Sequence, residues 1–228
     1  MSATPAQLGR PVGASNEHTR QRILTATMRC VAEVGYSQAS IREIAKAAGM
    51  TSASLYHYFP TKAELLTAAV NEIETIALPR LRAAGARGTD VVERLDAVLD
   101  ESDQLMREYP YLATFERAIR AESAAFVRKK SPGQADFAVL RDIIAGIVAD
   151  AQRQGFLESG ISADGAVDAI YALTRGLTEQ AAVLPPGEYH STLRAAKALL
   201  RGSLFSGQPA PPLPNRSEGP KPYTEEVK

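Results

Sequence analysis

"SIREIAKAAGMTSASLYHYFPTK", residues 40–62, decides the fold. Ser40 and Glu43 stand at capping-box spacing, and the apolar stripe Ile41, Ile44, Ala45 and Ala48 follows at helical intervals. Gly49 closes that helix, because glycine enters the left-handed region without a steric cost. Thr51 opens a very short helix that runs through Leu55 to about His57, and Pro60 ends it. Thr61 and Glu64 repeat the capping box and open a longer helix carrying Leu65, Leu66, Ala69, Val70 and Ile73. Two helices joined by a short turn containing Gly, the second helix being short, make a helix-turn-helix arrangement.

Upstream, the spacing predicts a helix over 19–33, with Ile23, Thr27, Cys30, Val31 and Val34 on one face and Gly35 at its end. Downstream, Pro79 and the run "AAGARG" at 83–88 read as a break, and helices are expected at 89–108, 110–129, 132–154, 162–184 and 188–205. Period 3.6 prevails over period 2 nearly everywhere, so the expected fold is all-α. A chain of 228 residues that is 45% hydrophobic can bury a sizeable core. Residues 1–15 and 206–228 are rich in Pro, Gly and polar groups and are expected to be disordered tails. Between them, 16–62 reads as a three-helix head and 63–205 as a larger helical bundle.

Lys plus Arg and Asp plus Glu balance at 26 each, so the overall charge selects no partner. The local charge differs. Residues 1–70 hold Arg10, Arg20, Arg22, Arg29, Arg42, Lys46 and Lys62 against Glu17, Glu33, Glu43 and Glu64, which leaves the head positive. The single Cys30 allows no intrachain disulfide, and the start of the sequence has no apolar leader, so a cytosolic location is expected. No apolar run reaches the length needed to span a bilayer. The three His residues are dispersed and no Gly-x-Ser-x-Gly, phosphate loop or His-Glu-x-x-His occurs. The expectation is therefore no enzyme, no metal and no cofactor.

In a helix-turn-helix the second helix presents its N-terminal residues to base edges, which calls for small or polar side chains. Thr51, Ser52, Ala53 and Ser54 meet that demand. Ser40, Tyr56, His57 and Lys62 stand where phosphates would be gripped. Tyr58 and Phe59 read as anchors that hold the reading helix on its neighbours. The alternative is a helical adaptor that binds another protein and has no specific affinity for DNA.

Residues 20–70 resemble the DNA-binding head of the TetR family of bacterial transcriptional regulators. The resemblance is carried by Gly35-Tyr36, Ile41, Ile44-Ala45, Ala48-Gly49, Leu55-Tyr56, Tyr58-Phe59, Lys62 and Leu65-Leu66. It covers about a fifth of the chain. Ala53 departs from it, since the family often has Gly there. The resemblance implies an all-helical homodimer with a ligand cavity in each subunit. The corresponding activity is a repressor bound to a palindromic double-stranded operator and released by a small effector.

In the bundle, Met106, Tyr109, Phe115, Ile119, Phe126, Phe137 and Tyr171 are candidates to line the cavity, and their apolar bias favours a lipophilic effector. Glu116 and Arg120 read as an i,i+4 pair at the surface. For the dimer contact the candidates are Ile170, Leu173 and Leu177 on one helix and Leu193, Ala196, Leu200 and Leu204 on the next. Ala169, Ala172, Gly176, Ala195 and Ala198 are small enough to permit close helix crossing.

Overall fold

The computed structural model describes residues 12–126 and 138–204. Among the described residues there are nine helices and no strand: α1 Val12–Val34, α2 Ile41–Ala47, α3 Ser52–Tyr58, α4 Lys62–Gly85, α5 Val91–Glu108, α6 Leu112–Phe126, α7 Ala138–Arg153, α8 Ala163–Ala181 and α9 Pro186–Leu200. None of them is long and apolar enough to cross a membrane.

The head is punctuated by local chemistry. Ser40 accepts the Glu43 amide while the Glu43 carboxylate accepts the Ser40 amide at 2.9 Å, closing a full capping box. Thr51 and Thr61 cap α3 and α4 by accepting the amides of Ser54 and Glu64, each at 3.1 Å. Gly35 and Gly49 take φ of 82° and 66° at the ends of α1 and α2, where a side chain would be strained.

Several boundaries differ from the sequence reading; α1 already begins at Val12, within the stretch expected to be a tail, and four others have a local physical reason. Pro79 does not end α4, which runs through it to Gly85. A proline inside a helix costs about 3 kcal/mol, but the turns beyond it bury Leu81, Ala84 and Gly85 and so recover comparable free energy. The next helix waits for Asp90, whose carboxylate caps α5 at the Glu93 amide (2.8 Å). Pro186 starts α9 two residues early, because the first helical position needs no amide donor. Gly202, at φ 66°, follows the end of α9 at Leu200. The boundary expected at residue 62 falls on the first residue of α4, and one core runs without interruption from Leu24 and Leu55 in the head to Phe115, Ile144 and Ile147 in the bundle.

Helices α4, α5 and α7 approach closely at Gly85. A Cβ there would stand 3.1 Å from Ile143 Cγ2 and 3.3 Å from Val98 Cγ2. Arg80 ties α4 to α5 through Glu101 (2.7 Å) and Glu108, and Arg87 adds a second contact to Glu101 (3.1 Å). Gly85→Val should overpack this crossing and cost about 1–3 kcal/mol, read as a lower urea midpoint at unchanged m-value. The hydrogen bonds from Arg80, helped by one from Gln104, hold the Glu108 carboxyl below its usual range. A depressed acid contributes stability above its unfolded value of about 4.3 and loses it as pH falls through the folded value. The stability gap between the native chain and Arg80→Met should therefore narrow in urea titrations carried below about pH 4.

Candidate nucleic-acid interface and effector pocket

A seven-residue helix cannot hold itself in water, so α3 exists because of what it buries. Leu55 is fully enclosed, Phe59 is 3% exposed, and the Arg20 guanidinium of α1 lies 4.8 Å from the centre of the Phe59 ring. Burial of one such side chain contributes about 1.5–3 kcal/mol. With Leu55 and Phe59 turned inward, Thr51, Ala53, Tyr56 and His57 are exposed, while Ser52 and Ser54 are half-buried. Tyr56 is 49% exposed, which leaves its hydroxyl end facing solvent rather than the core.

The hydroxyls among these residues are not all available. Thr51 Oγ1 caps α3 and also lies 2.9 Å from Ser54 Oγ, so the two hydroxyls serve the helix start first. The Ser40 hydroxyl donates to the Glu43 carboxylate at 2.9 Å. Lys62 Nζ donates to the Tyr36 carbonyl at 2.6 Å and sits 4.8 Å from the Tyr36 ring, pinning the start of α4 to the turn after α1. That internal role was not visible in the sequence, because the contact joins residues 26 positions apart. Arg42 and Lys46 on α2 are exposed and add positive charge beside the reading helix.

In the bundle a cavity of about 90 Å³ lies between α4, α5, α6, α7 and α8. Its apolar walls include Ile73, Ala77, Leu81, Leu105, Leu112 and Leu140, together with Met106 and Tyr171 from the candidates. Tyr109 belongs instead to a smaller adjoining hollow with Met28 and Ile76. Phe115 and Ile119, at 0% and 6% exposure, are packed into the core and do not line the cavity. Their spacing could not separate a wall from a core. The Phe126 side chain and Phe137 lie outside the described residues.

Glu116 and Arg120 correct the sequence reading. They do form the i,i+4 pair, at 2.9 Å, but with 19% and 16% of their side chains exposed they face the cavity rather than open solvent. Burial pushes the Glu116 carboxyl above its usual range despite the neighbouring guanidinium. Glu74, Ser102, Arg175 and Thr178 complete the polar lining.

The dimer candidates also divide. Leu177, Leu193 and Ala196 pack with Leu99 and Tyr189 in a second core of their own subunit, which covers their side chains. Leu173 and Leu200 lean on that core, Ile170 leans on the main one, and Leu204 is 38% exposed. The face left open is one step around the helices: Ala169, Ala172 and Gly176 on α8, and Ala195 and Leu199 on α9. Arg201 to Asp96 and Lys197 to Asp100 hold the opposite side of α9 on α5, which sets this rotation.

Residues 23–69 match the family model described as bacterial regulatory proteins of the tetR family. The chain is 27% identical over 179 residues to the HTH-type transcriptional regulator PksA of Bacillus subtilis, covering 77% of this chain and 84% of that protein. It is 36% identical over 94 residues to the HTH-type transcriptional repressor KstR of Mycolicibacterium smegmatis, covering 41% of this chain and 46% of KstR, about half its length. In fold it is similar to the transcriptional regulator FadR from Bacillus subtilis, solved in complex with stearoyl-CoA, at 19% identity and a TM-score of 0.66 over 82% of this chain and 99% of that one. Salmonella enterica GusR is similar at 25% identity and a TM-score of 0.62, over 87% and 99% of the two chains. PksA, KstR and FadR are transcriptional regulators, and the adaptor reading is not favoured. The head, residues 23–69, is thus that of the bacterial regulatory proteins of the tetR family, and the helical body has the fold of such transcriptional regulators.

Proposed function

We propose that the chain is a homodimeric repressor that binds a palindromic operator through α3 and is released when a lipophilic molecule enters the cavity of the bundle. The observation that carries this reading is the continuity of α4, which leaves the reading head at Lys62 and forms a wall of the cavity from Ile73 to Leu81. Ser52 and Ala53 read bases, Tyr56 and His57 grip phosphate, and the Thr51 methyl meets an apolar base edge while its hydroxyl stays in the cap. Lys62 and Ser40 position the grip through the contacts described above. The exposed small residues of α8 and α9 meet their copies across a two-fold axis, spacing two heads for half-sites one helical turn apart or a multiple of it.

Release follows from the size of the cavity. At about 90 Å³ it is smaller than the ~150 Å³ that accommodates benzene, so a longer molecule must displace its walls. Moving α4 moves α3, and a ligand that prefers the displaced state weakens operator binding by the same coupling factor. The walls are mostly hydrocarbon, which is the basis for a lipophilic effector. The task is binding rather than turnover.

Selection from random duplexes with the full chain tests the reading: a palindrome should be enriched and its retention lost as salt rises. Failure to enrich any sequence with folded protein would remove the regulator reading. Tyr56→Phe should weaken all duplexes alike by about 2–10-fold, the loss of one hydrogen bond, in fluorescence anisotropy titrations. Ala53→Ser should instead change which sequence is enriched. Gly176→Arg, placed where a Cβ meets open space, should yield a folded monomer in sedimentation that no longer retains the palindrome. Leu177→Ala should cost the monomer about 2–5 kcal/mol in urea unfolding, as a core residue would.

A further inference from the structure

The cavity has a neighbour. The adjoining hollow, of about 20 Å³, shares four of its wall residues: Ile73 and Ala77 of α4, Leu105 of α5 and Leu112 of α6. The two spaces are thus divided by hydrocarbon side chains alone. Beyond them the small hollow is closed by Ile76 of α4, Tyr109 and, from the head, Met28 of α1.

Polarity is unevenly spread over this pair of spaces. Glu74, Ser102, Glu116, Arg120, Arg175 and Thr178 all line the larger one, whereas the smaller adds to its apolar walls the phenol of Tyr109, which is 37% exposed. The hydroxyls of Ser102 and Thr178 already donate to the Val98 and Thr174 carbonyls, at 2.9 and 3.3 Å. Arg175 differs: its guanidinium lies 6.0 Å from the centre of the Tyr171 ring and makes no ion pair among the described residues. It is exposed, so it stands at the mouth, where a carboxylate can accept from two of its N–H groups and still keep water. A molecule with such a group and a hydrocarbon tail enters in one orientation, carboxylate toward α8 and tail toward α1.

The tail then meets the support of the reading helix. Met28 belongs to the same helix as Arg20, which stacks on Phe59 at the end of α3, and α1 is tied to α4 by Gln21 Nε2, which donates to the Glu72 carboxylate at 2.7 Å. The small hollow holds about one water-sized group. A chain that reaches further must part Met28 from Ile76, opening α1 from α4 about the Gln21–Glu72 bond. A chain that ends short of the shared walls leaves that joint alone.

We infer that the effector is a straight-chain carboxylate held at Arg175, and that its length decides the outcome: release of DNA requires a tail long enough to pass Ala77 and Leu105 and press on Met28 of α1. This rests on the reading above that the cavity is the effector site. Shorter chains occupy the cavity without releasing the operator and so compete with the longer ones.

The test uses the full chain at pH 7.5 with the unbranched acids from hexanoate to tetradecanoate, each below its micelle concentration. Affinity is read by calorimetry, and release by fluorescence anisotropy on the selected palindrome at matched saturation; circular dichroism checks the fold of each variant. In the native chain affinity should climb about fourfold per methylene buried, with release confined to the longer acids. Met28→Phe and Ile76→Phe, which fill the small hollow from α1 and from α4, should each halt the climb at a shorter length, so one suffices if the other does not fold. Arg175→Gln should weaken every acid by one factor, about three- to tenfold, and leave the climb per methylene unaltered. Ala77→Phe, in the wall common to both spaces, should abolish binding. If no acid binds, or Ala77→Phe binds them as the native chain does, the effector-site reading fails and takes this inference with it. If Ala77→Phe abolishes binding but both small-hollow variants keep the native climb, short acids release as fully as long ones, or Arg175→Gln costs nothing, the site stands and the inference is overturned.

Discussion

Helix α4 runs for 24 residues without a break, a rod of roughly 36 Å at 1.5 Å per residue, and both ends of the molecule are built on it. Its first residue is bonded to the Tyr36 carbonyl, and its first turns bury Leu65, Leu66 and Ala69 under the head. Its later turns wall the cavity and are tied to α5 by Arg80 and Arg87. The short helices α2 and α3 hold their positions only through the core they share with α1 and α4. A change in the direction of α4 is thus a change in where α3 points, with no separate messenger needed.

That arrangement fits a regulator whose two tasks make opposite demands on polarity. The outer face of α3 is exposed at Ala53, Tyr56 and His57, the side on which the proposed reading surface lies. The cavity is largely hydrocarbon, with the Glu116–Arg120 pair on its wall. A chain of zero net charge accommodates both by placing its positive excess in the head.

The parts of the molecule legible in the sequence are those set by neighbours a few residues apart. Ser40 with Glu43, Thr51 with Ser54 and Thr61 with Glu64 announce three helix starts because a cap joins residues three apart. Gly35 and Gly49 announce two ends for the same reason. What stayed hidden depends on distant partners. Pro79 looked like a stop because nothing local shows that Leu81 and Ala84 bury against other helices. Glu116 and Arg120 looked like a surface pair because i,i+4 spacing fixes that they touch but not which way they face. Leu177 and Leu193 looked available for a partner subunit, but they share a core with Leu99 of α5 and Tyr189 of α9, which joins α8 to its neighbours. In the head the starts of α2, α3 and α4 and the glycine stops were readable, whereas the bundle was readable only as helices.

Pro79 has a mechanical consequence. Its ring removes the amide that would have bonded to the Thr75 carbonyl, and one turn earlier the Thr75 hydroxyl already draws on the Asn71 carbonyl at 2.8 Å. Bending stiffness in a helix comes from this ladder, so α4 is most compliant between Asn71 and Pro79, where it passes the cavity. Pressure from an occupant on that stretch is converted into an angle rather than a translation. The distance from there to Lys62 acts as a lever arm, multiplying a small local deflection into a larger swing of the reading helix.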